Sequence, residues 1–184
     1  MRDAPAYEFE TDRLRMRRPM AGDEVLIHAL TEPPAMRTYL ALAEPSMTDS
    51  FNRLLRNAGS WMLFGYGIAM VEEKETGAFV GTCGIFRTAR GHGADFDFLP
   101  EAGWIIAQDH WGKGYATEAM EGTIDWFERT IGKQSLGCMI EFGNIASDKV
   151  ARKLGFKILR EIFPDEEGED DAQEGAHLVL YRRD

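Results

Sequence analysis

The 184-residue sequence predicts a mixed α/β fold, a sheet with helices packed on it, in the order β-α-α-β-β-β-α-β-α-β-β. Three observations predict it. Short β-rich apolar runs alternate with stretches whose apolar residues recur at helical spacing. Glycine or proline marks most of the boundaries between them. No internal repeat and no linker long enough to divide the chain occurs, so it reads as a single domain over residues 1–184. That length buries a core without metal or disulfide staples.

Residues 13–17 (Arg-Leu-Arg-Met-Arg) alternate basic and apolar side chains, as a half-buried strand does. Pro19 and Gly22 break that pattern, and Asp23 and Glu24 open a helix that places Val25, Leu26 and Leu30 along one face before Pro33-Pro34 closes it. Ser46-Met-Thr-Asp49 has capping-box spacing and predicts a second helix through Phe51, Leu54 and Leu55, stopping near Gly59. Residues 66–73 and 78–86 read as a hairpin joined by the turn Lys74-Glu-Thr-Gly77. Residues 88–100 are polar and glycine-rich, hence a loop, and 101–108 (EAGWIIAQ) form a buried strand. A helix over 116–130 carries Met120, Ile124 and Phe127 on one face and stops at Gly132. A strand over 134–142 leads to a short helix capped by Asn144, with Val150 and Leu154 facing inward and Gly155 ending it. Residues 156–163 and 177–181 are the last two strands.

Composition narrows the function. No stretch has the apolar length to cross a bilayer, and Met1-Arg-Asp-Ala-Pro-Ala-Tyr-Glu-Phe-Glu10 lacks the apolar centre of a signal peptide, so a cytoplasmic protein without a membrane partner is expected. Cys83 and Cys138 stand alone inside apolar runs, which suits buried thiols in a reducing compartment and offers no metal-ligand spacing. The net charge of −10 argues against a nucleic-acid partner. Seven of the acids fall within residues 165–175 (DEEGEDDAQEG), and the remainder of the chain is nearly balanced, 24 acidic against 21 basic. That run reads either as a solvated hairpin tip or as an electrostatic lure for a cationic substrate.

The segment Asp109-His-Trp-Gly-Lys-Gly-Tyr-Ala-Thr-Glu-Ala-Met120 carries the most specific chemistry. It joins a strand to a helix whose first turn leaves backbone N–H groups unpaired at the positive end of the dipole, a natural seat for an anion. Glycines 112 and 114 let the backbone approach phosphate oxygens, and Lys113 adds an ammonium. Alone, the two glycines also fit a plain turn. The segment matches neither a nucleotide P-loop nor a dinucleotide-binding fingerprint.

Trp111-Gly-Lys-Gly-Tyr-Ala-Thr-Glu-Ala119, preceded by Glu101-Ala-Gly-Trp104, resembles the coenzyme A-binding segment of the GNAT acyltransferases. Asn144-Ile-Ala-Ser147 and Lys153-Leu-Gly-Phe156 match that family's next motif, and Thr11-Asp-Arg-Leu-Arg-Met-Arg17 looks like the first strand of the branch that includes the ribosomal-protein N-terminal acetyltransferases. The likeness runs from about residue 11 to residue 181. It implies the GNAT fold, with the 101–108 strand splayed from the 134–142 strand. Acetyl-coenzyme A is the implied cosubstrate, with no metal. By resemblance, Trp111, Gly112, Lys113, Gly114, Tyr115 and Ala116 form the phosphate loop, Trp111 departing from the family's basic or amide first residue. Ile105, Ile106 and Ala107 are expected to line the pantetheine arm, with a backbone N–H near Ile106 polarising the thioester carbonyl. Asn144 is expected to bond the same arm while capping its helix. Glu101 matches a position where many members hold a glutamate that takes the amine proton directly or through water; its other reading is a structural hydrogen-bond acceptor. Ser147 matches the position that protonates the leaving thiolate, and it equally suits a helix start.

His28 and His177 read as structural, His92 as facing the acceptor or solvent, and His110 as a turn residue. Trp61, Phe64 and Tyr66 read as core in preference to a substrate cage, and Tyr115 as packing behind the loop. The leading expectation is direct acetyl transfer to a primary amine, a protein N-terminus or a small molecule. No cysteine sits where it would carry the acyl group. A non-catalytic acyl-coenzyme A sensor and a plain scaffold are the alternatives. The acceptor groove is expected between the first two helices, the 88–100 loop and the acidic hairpin. Its occupant and the oligomeric state, monomer or homodimer, stay open.

Overall fold

The computed structural model describes residues 7–38, 44–164 and 176–184. The acidic run at 165–175 lies outside the described residues. Eight strands form one sheet: β1 (Tyr7–Glu10), β2 (Leu14–Arg17), β3 (Ile68–Glu73), β4 (Phe79–Phe86), β5 (Glu101–Ile106), β6 (Leu136–Glu141), β7 (Lys157–Ile162) and β8 (Leu178–Arg183). Their spatial order is β1-β2-β3-β4-β5-β6-β8-β7. Among the described residues six helices accompany these strands: α1 (Glu24–Thr31), α2 (Pro34–Arg37), α3 (Met47–Phe64), α4 (Ala94–Asp97), α5 (Tyr115–Thr130) and α6 (Ile145–Lys153). The mixed α/β fold is the one expected, with every predicted strand and helix present. None of the described helices is long and apolar enough to cross a membrane.

All neighbouring strands are antiparallel except β5 and β6. β4 and β5 pair from Phe86↔Glu101 to Gly81↔Ile106 without a break. β5 and β6 meet only at Glu101↔Gly137, beside the bond from the Gly137 N–H to the Pro100 carbonyl at 2.9 Å. Beyond that point the strands part, while on its other edge β6 stays paired with β8 from Leu136↔Arg183 to Glu141↔Leu178.

α5 lies against the sheet through Ala119, Met120, Ile124 and Phe127, all buried. Each large apolar side chain there contributes roughly 2 kcal/mol. α3 begins with the predicted capping box: the Asp49 N–H donates to Ser46 Oγ and the Ser46 N–H to Asp49 Oδ2, both at 3.1 Å. It does not stop at Gly59 but runs on to Phe64, ending at Gly65 with φ +75°. Glycine inside a helix costs about 1 kcal/mol. Trp61 outweighs that cost, since it is 4% exposed, donates its indole N–H to the Ile68 carbonyl at 2.8 Å and packs on Trp126. Trp61 and Tyr66 are therefore core, whereas Phe64 is exposed.

Two other differences from the sequence reading have local causes. β1 adds an edge strand, held as Phe9 stacks on Trp126 at 5.4 Å. α4 gives the 88–100 loop one helical turn, organised by Asp97, which accepts the main-chain N–H groups of Arg90, His92 and Gly93.

Asp23 stands at the N-cap position of α1 without capping it. Its carboxylate instead takes both ends of the buried Arg17 guanidinium, at 2.7 and 2.9 Å, and Glu72 takes Arg17 Nε at 2.6 Å. Burial alone would favour neutral Arg17, but the two carboxylates more than reverse it and raise its pKa. Asp23→Ala should destabilise the fold by about 3 kcal/mol, the low end for a broken buried pair because Glu72 remains. Urea unfolding checks this, and an unchanged midpoint would show that α1 docks without the pair.

Candidate active site

A cavity of about 460 Å³ opens where β5 and β6 part. Glu101 and Ile105 line it from β5, Met139 to Glu141 from β6, and Asn144 and Ser147 from α6. Arg53, Arg56, Asn57 and Ser60 of α3 and Arg87, Thr88 and Arg90 after β4 also line it. So α3 and the 88–100 loop border it as expected, whereas α1 does not line it.

The register of β5 decides which of its main-chain groups face this opening. The Ala107 N–H donates to the Val80 carbonyl at 2.9 Å, and antiparallel alternation turns residues 101, 103 and 105 toward β4 as well. The main chain of Ala102, Trp104 and Ile106 therefore points toward β6. Only Ala102 lies beside the single bridged position, so the Trp104 and Ile106 groups meet the gap. The Ile106 side chain turns into the core at 8% exposure. Ile105 lines the cavity with its side chain, and Ala107 has its N–H committed to β4.

Residues 107–116 follow as a compact turn. A 3-10 turn at Gln108–His110 leads to Gly112 and Gly114, both left-handed at φ +74° and +79°, and α5 begins at Tyr115. The N–H groups of Gly112, Lys113 and Gly114 have no partner among the described residues, and the first turn of α5 adds further free N–H groups beside them. No side chain caps α5. Trp111 has a role the motif alone did not reveal: its indole N–H donates to the Ile106 carbonyl at 2.7 Å, tying the loop to the edge of β5. Indole has no second donor. Lys113 is exposed, and Ala116 is half-buried on α5.

Tyr115 packs behind the loop, 5% exposed, with its hydroxyl donating to Glu73. That bond holds the Glu73 carboxyl below its usual range and pushes the Tyr115 phenol up. Arg13 lies over the Tyr115 ring, donates to the Lys113 carbonyl at 3.0 Å, and is paired with Glu118. Glu118 also accepts from Thr11 Oγ1 and the Arg13 N–H; these bonds outweigh its burial and lower its pKa.

Glu101 is 4% exposed at the closed end of the gap, where both its oxygens accept from Arg90, at 2.8 Å each. The sequence reading missed Arg90, although it sits beside the His92 singled out there. Asn144 Oδ1 accepts the Ser147 N–H at 3.1 Å, as the predicted N-cap, which leaves its amide donors for the cavity. The Ser147 hydroxyl, also on the cavity wall, makes no hydrogen bond among the described residues. Tyr181 donates its phenol to Asp148 at 2.6 Å, and burial with that bond raises its pKa.

Burial pushes the Cys83 thiol up to about 12 and the Cys138 thiol well above its ordinary value, so neither is a thiolate near neutrality. His28 contacts Ser50, and His177 pairs with Glu161 between Phe142 and Phe163. His92 does not line the cavity; burial, then the Arg90 charge, lower its pKa. The ring of His110 lies 5.9 Å from that of Tyr115, beside the loop. No cluster of three or more His, Cys, Asp or Glu suited to a metal occurs among the described residues.

Residues 13–157 match the acetyltransferase (GNAT) domain. YkkB of Bacillus subtilis, an uncharacterised protein, is 34% identical over 152 residues, covering 79% of this chain and 82% of its own. A GNAT-family acetyltransferase structure from Bordetella pertussis superposes with a TM-score of 0.81 at 26% identity, covering 96% of this chain and 98% of that one. RimL, a ribosomal L7/L12 α-N-protein acetyltransferase solved with coenzyme A, has a TM-score of 0.74 at 14% identity, covering 97% of each chain. A glycine loop opening α5, a strand freed from its neighbour beside it and a match over most of the length agree: the chain belongs to the GNAT family of acetyltransferases.

Proposed function

We propose that this enzyme moves an acetyl group from acetyl-coenzyme A to a primary amine, by direct attack of the amine within a ternary complex. One observation carries the reading: the main chain of Trp104 and Ile106 faces a gap that Glu101, Asn144 and Ser147 also line, beside an uncapped helix start. An unpaired strand edge calls for a partner, and an amide-containing arm supplies one.

The free N–H groups from Gly112 to Ala116 hold the pyrophosphate, assisted by the α5 dipole and the Lys113 ammonium. Trp111 acts by keeping that loop against β5. Ile105, Ala107 and the Asn144 amide border the pantetheine arm. The Ile106 N–H is the donor that meets the thioester oxygen as charge grows on it, a contact worth about 3 kcal/mol in a dry site.

The amine nitrogen bonds to the acetyl carbon, the carbon–sulfur bond breaks, and one proton leaves the nitrogen as one reaches the sulfur. Glu101 receives the first through water: Arg90 occupies one lone pair on each carboxylate oxygen and leaves the others toward the cavity. The Ser147 hydroxyl donates toward the sulfur. The high thiol pKa values of Cys83 and Cys138 support direct transfer over an acyl-enzyme. A protein N-terminus and a small amine are both acceptors of the required chemistry.

Calorimetry should detect acetyl-coenzyme A binding, and none at millimolar ligand would overturn the reading. Gly114→Val, which forces a branched residue to φ +79° and so displaces the loop N–H groups, should weaken that binding at least about tenfold.

Glu101→Gln should lower kcat about a hundredfold while leaving acetyl-coenzyme A binding intact. An unchanged kcat would remove Glu101 from the base role and leave it as the residue that positions Arg90. Tight binding with no transfer to any amine would favour a sensor.

A further inference from the structure

Among the described residues, the charged side chains lining the cavity have a sign opposite to that of the whole protein. The chain holds 31 acidic and 21 basic residues, yet four arginines line the cavity against Glu101 and Glu141. Arg90 is spent on Glu101. Arg53 and Arg56 make no ion pair among the described residues, and Arg87 gives one N–H to the Phe98 carbonyl at 2.8 Å, leaving most of its fork free.

Arg53 and Arg56 stand three residues apart on α3, on one helical face, where like charges destabilise each other. Burial and then the Arg56 charge lower the pKa of half-buried Arg53. Asp49, one turn earlier, opposes this, but it lies beyond ion-pair range and is engaged by Ser46. Asn57 is 8% exposed, lines the same wall, and its amide has no hydrogen-bond partner among the described residues. Arg53, Arg56, Arg87 and the Asn57 amide thus line one space from α3 and the end of β4, Arg56 and Arg87 exposed, with no ion pair to any of the three arginines among the described residues.

The phosphates of coenzyme A do not account for this set. Gly112 to Ala116 do not line the cavity, and the end bordered by Asn144 and Ser147 is built from β6 and α6, not from the arginine-bearing elements. We propose that the acceptor is a small amine that also carries an anionic group, a carboxylate or a phosphate, gripped by Arg53, Arg56 and Arg87. This rests on the acetyl-transfer reading of the same site. Guanidinium matches both anions with paired N–H donors, and about 460 Å³ is the scale of a small-molecule site.

The test compares matched amines by kcat/KM: β-alanine with β-alaninamide, phosphoethanolamine with ethanolamine, and spermidine as a cation. At least one anionic member should exceed its neutral partner by about tenfold or more, with spermidine poorest. Whichever pair shows the preference identifies the anion. In Arg53→Gln/Arg56→Gln the preference should collapse through a higher KM for the anionic amine, with coenzyme A calorimetry on the variant as the check of folding. Equal kcat/KM within both pairs, better use of spermidine, or a preference that survives the double substitution would overturn the anion grip while leaving acetyl transfer standing. Transfer to none of these amines but to a peptide N-terminus would overturn the anion grip alone, and transfer to neither would overturn both.

Discussion

The parting of β5 from β6 after a single bridged position is the constraint on which the site depends. A strand inside a sheet normally satisfies both sides of its backbone, and a buried N–H or carbonyl without a partner costs as much as a lost hydrogen bond. β4 takes one side of β5 over its full length. The other side is left open at Trp104 and Ile106, and Trp111 closes part of that deficit by donating to the Ile106 carbonyl. The Ile106 N–H is not relieved in this way. One side chain thus does two jobs, completing the strand edge and fixing where the glycine loop begins.

The loop is braced from the distant half of the sheet. Arg13, just ahead of β2, reaches the Lys113 carbonyl, the Tyr115 ring and Glu118 together, while Glu73 at the end of β3 holds the Tyr115 hydroxyl. Main-chain donors gather usefully around an anion only if the chain carrying them is rigid, and glycine supplies no rigidity of its own. Arg13 and Glu118 are partly exposed, so their pairing contributes little to global stability. Its effect is local: it fixes the direction in which the first turn of α5 presents its N–H groups.

Most of the fold was legible because its signals are local. The Ser46 capping box, the Asn144 cap, the apolar face of α5 and the 74–77 hairpin turn each depend on residues a few positions apart. The misses were cases where distant packing decided. Gly59 looked like a stop until Trp61 was seen anchored to Ile68, and β1 exists because Phe9 finds Trp126 more than a hundred residues away. Asp23 looked like a helix opener, but a buried arginine from β2 had claimed its carboxylate. In the candidate site, the positive-φ turn at Gly112 and Gly114 and the Asn144 cap on Ser147 were readable from motif spacing, whereas the Glu101–Arg90 pair and the bond from Trp111 to Ile106 were not. Neither of those contacts has a periodicity or a spacing that marks it in advance.

The same distinction separates the two ends of the reaction. In the proposed reading, contacts for the donor are largely main-chain, so they demand glycines and helix starts at fixed spacing and leave a pattern in the sequence. The acceptor contacts proposed above are side-chain, scattered over α3 and the segment after β4, and any surface arginine looks like any other until the fold brings several to one wall. Net charge misleads for the same reason. A cavity is governed by the few charges lining it, because exposed charges farther away than about 10 Å are screened by salt. A protein with ten excess negative charges can therefore carry a cavity wall of arginines. Among the described residues, Arg53, Arg56 and Arg87 are the lining charges that make no ion pair, and they set the sign of that wall.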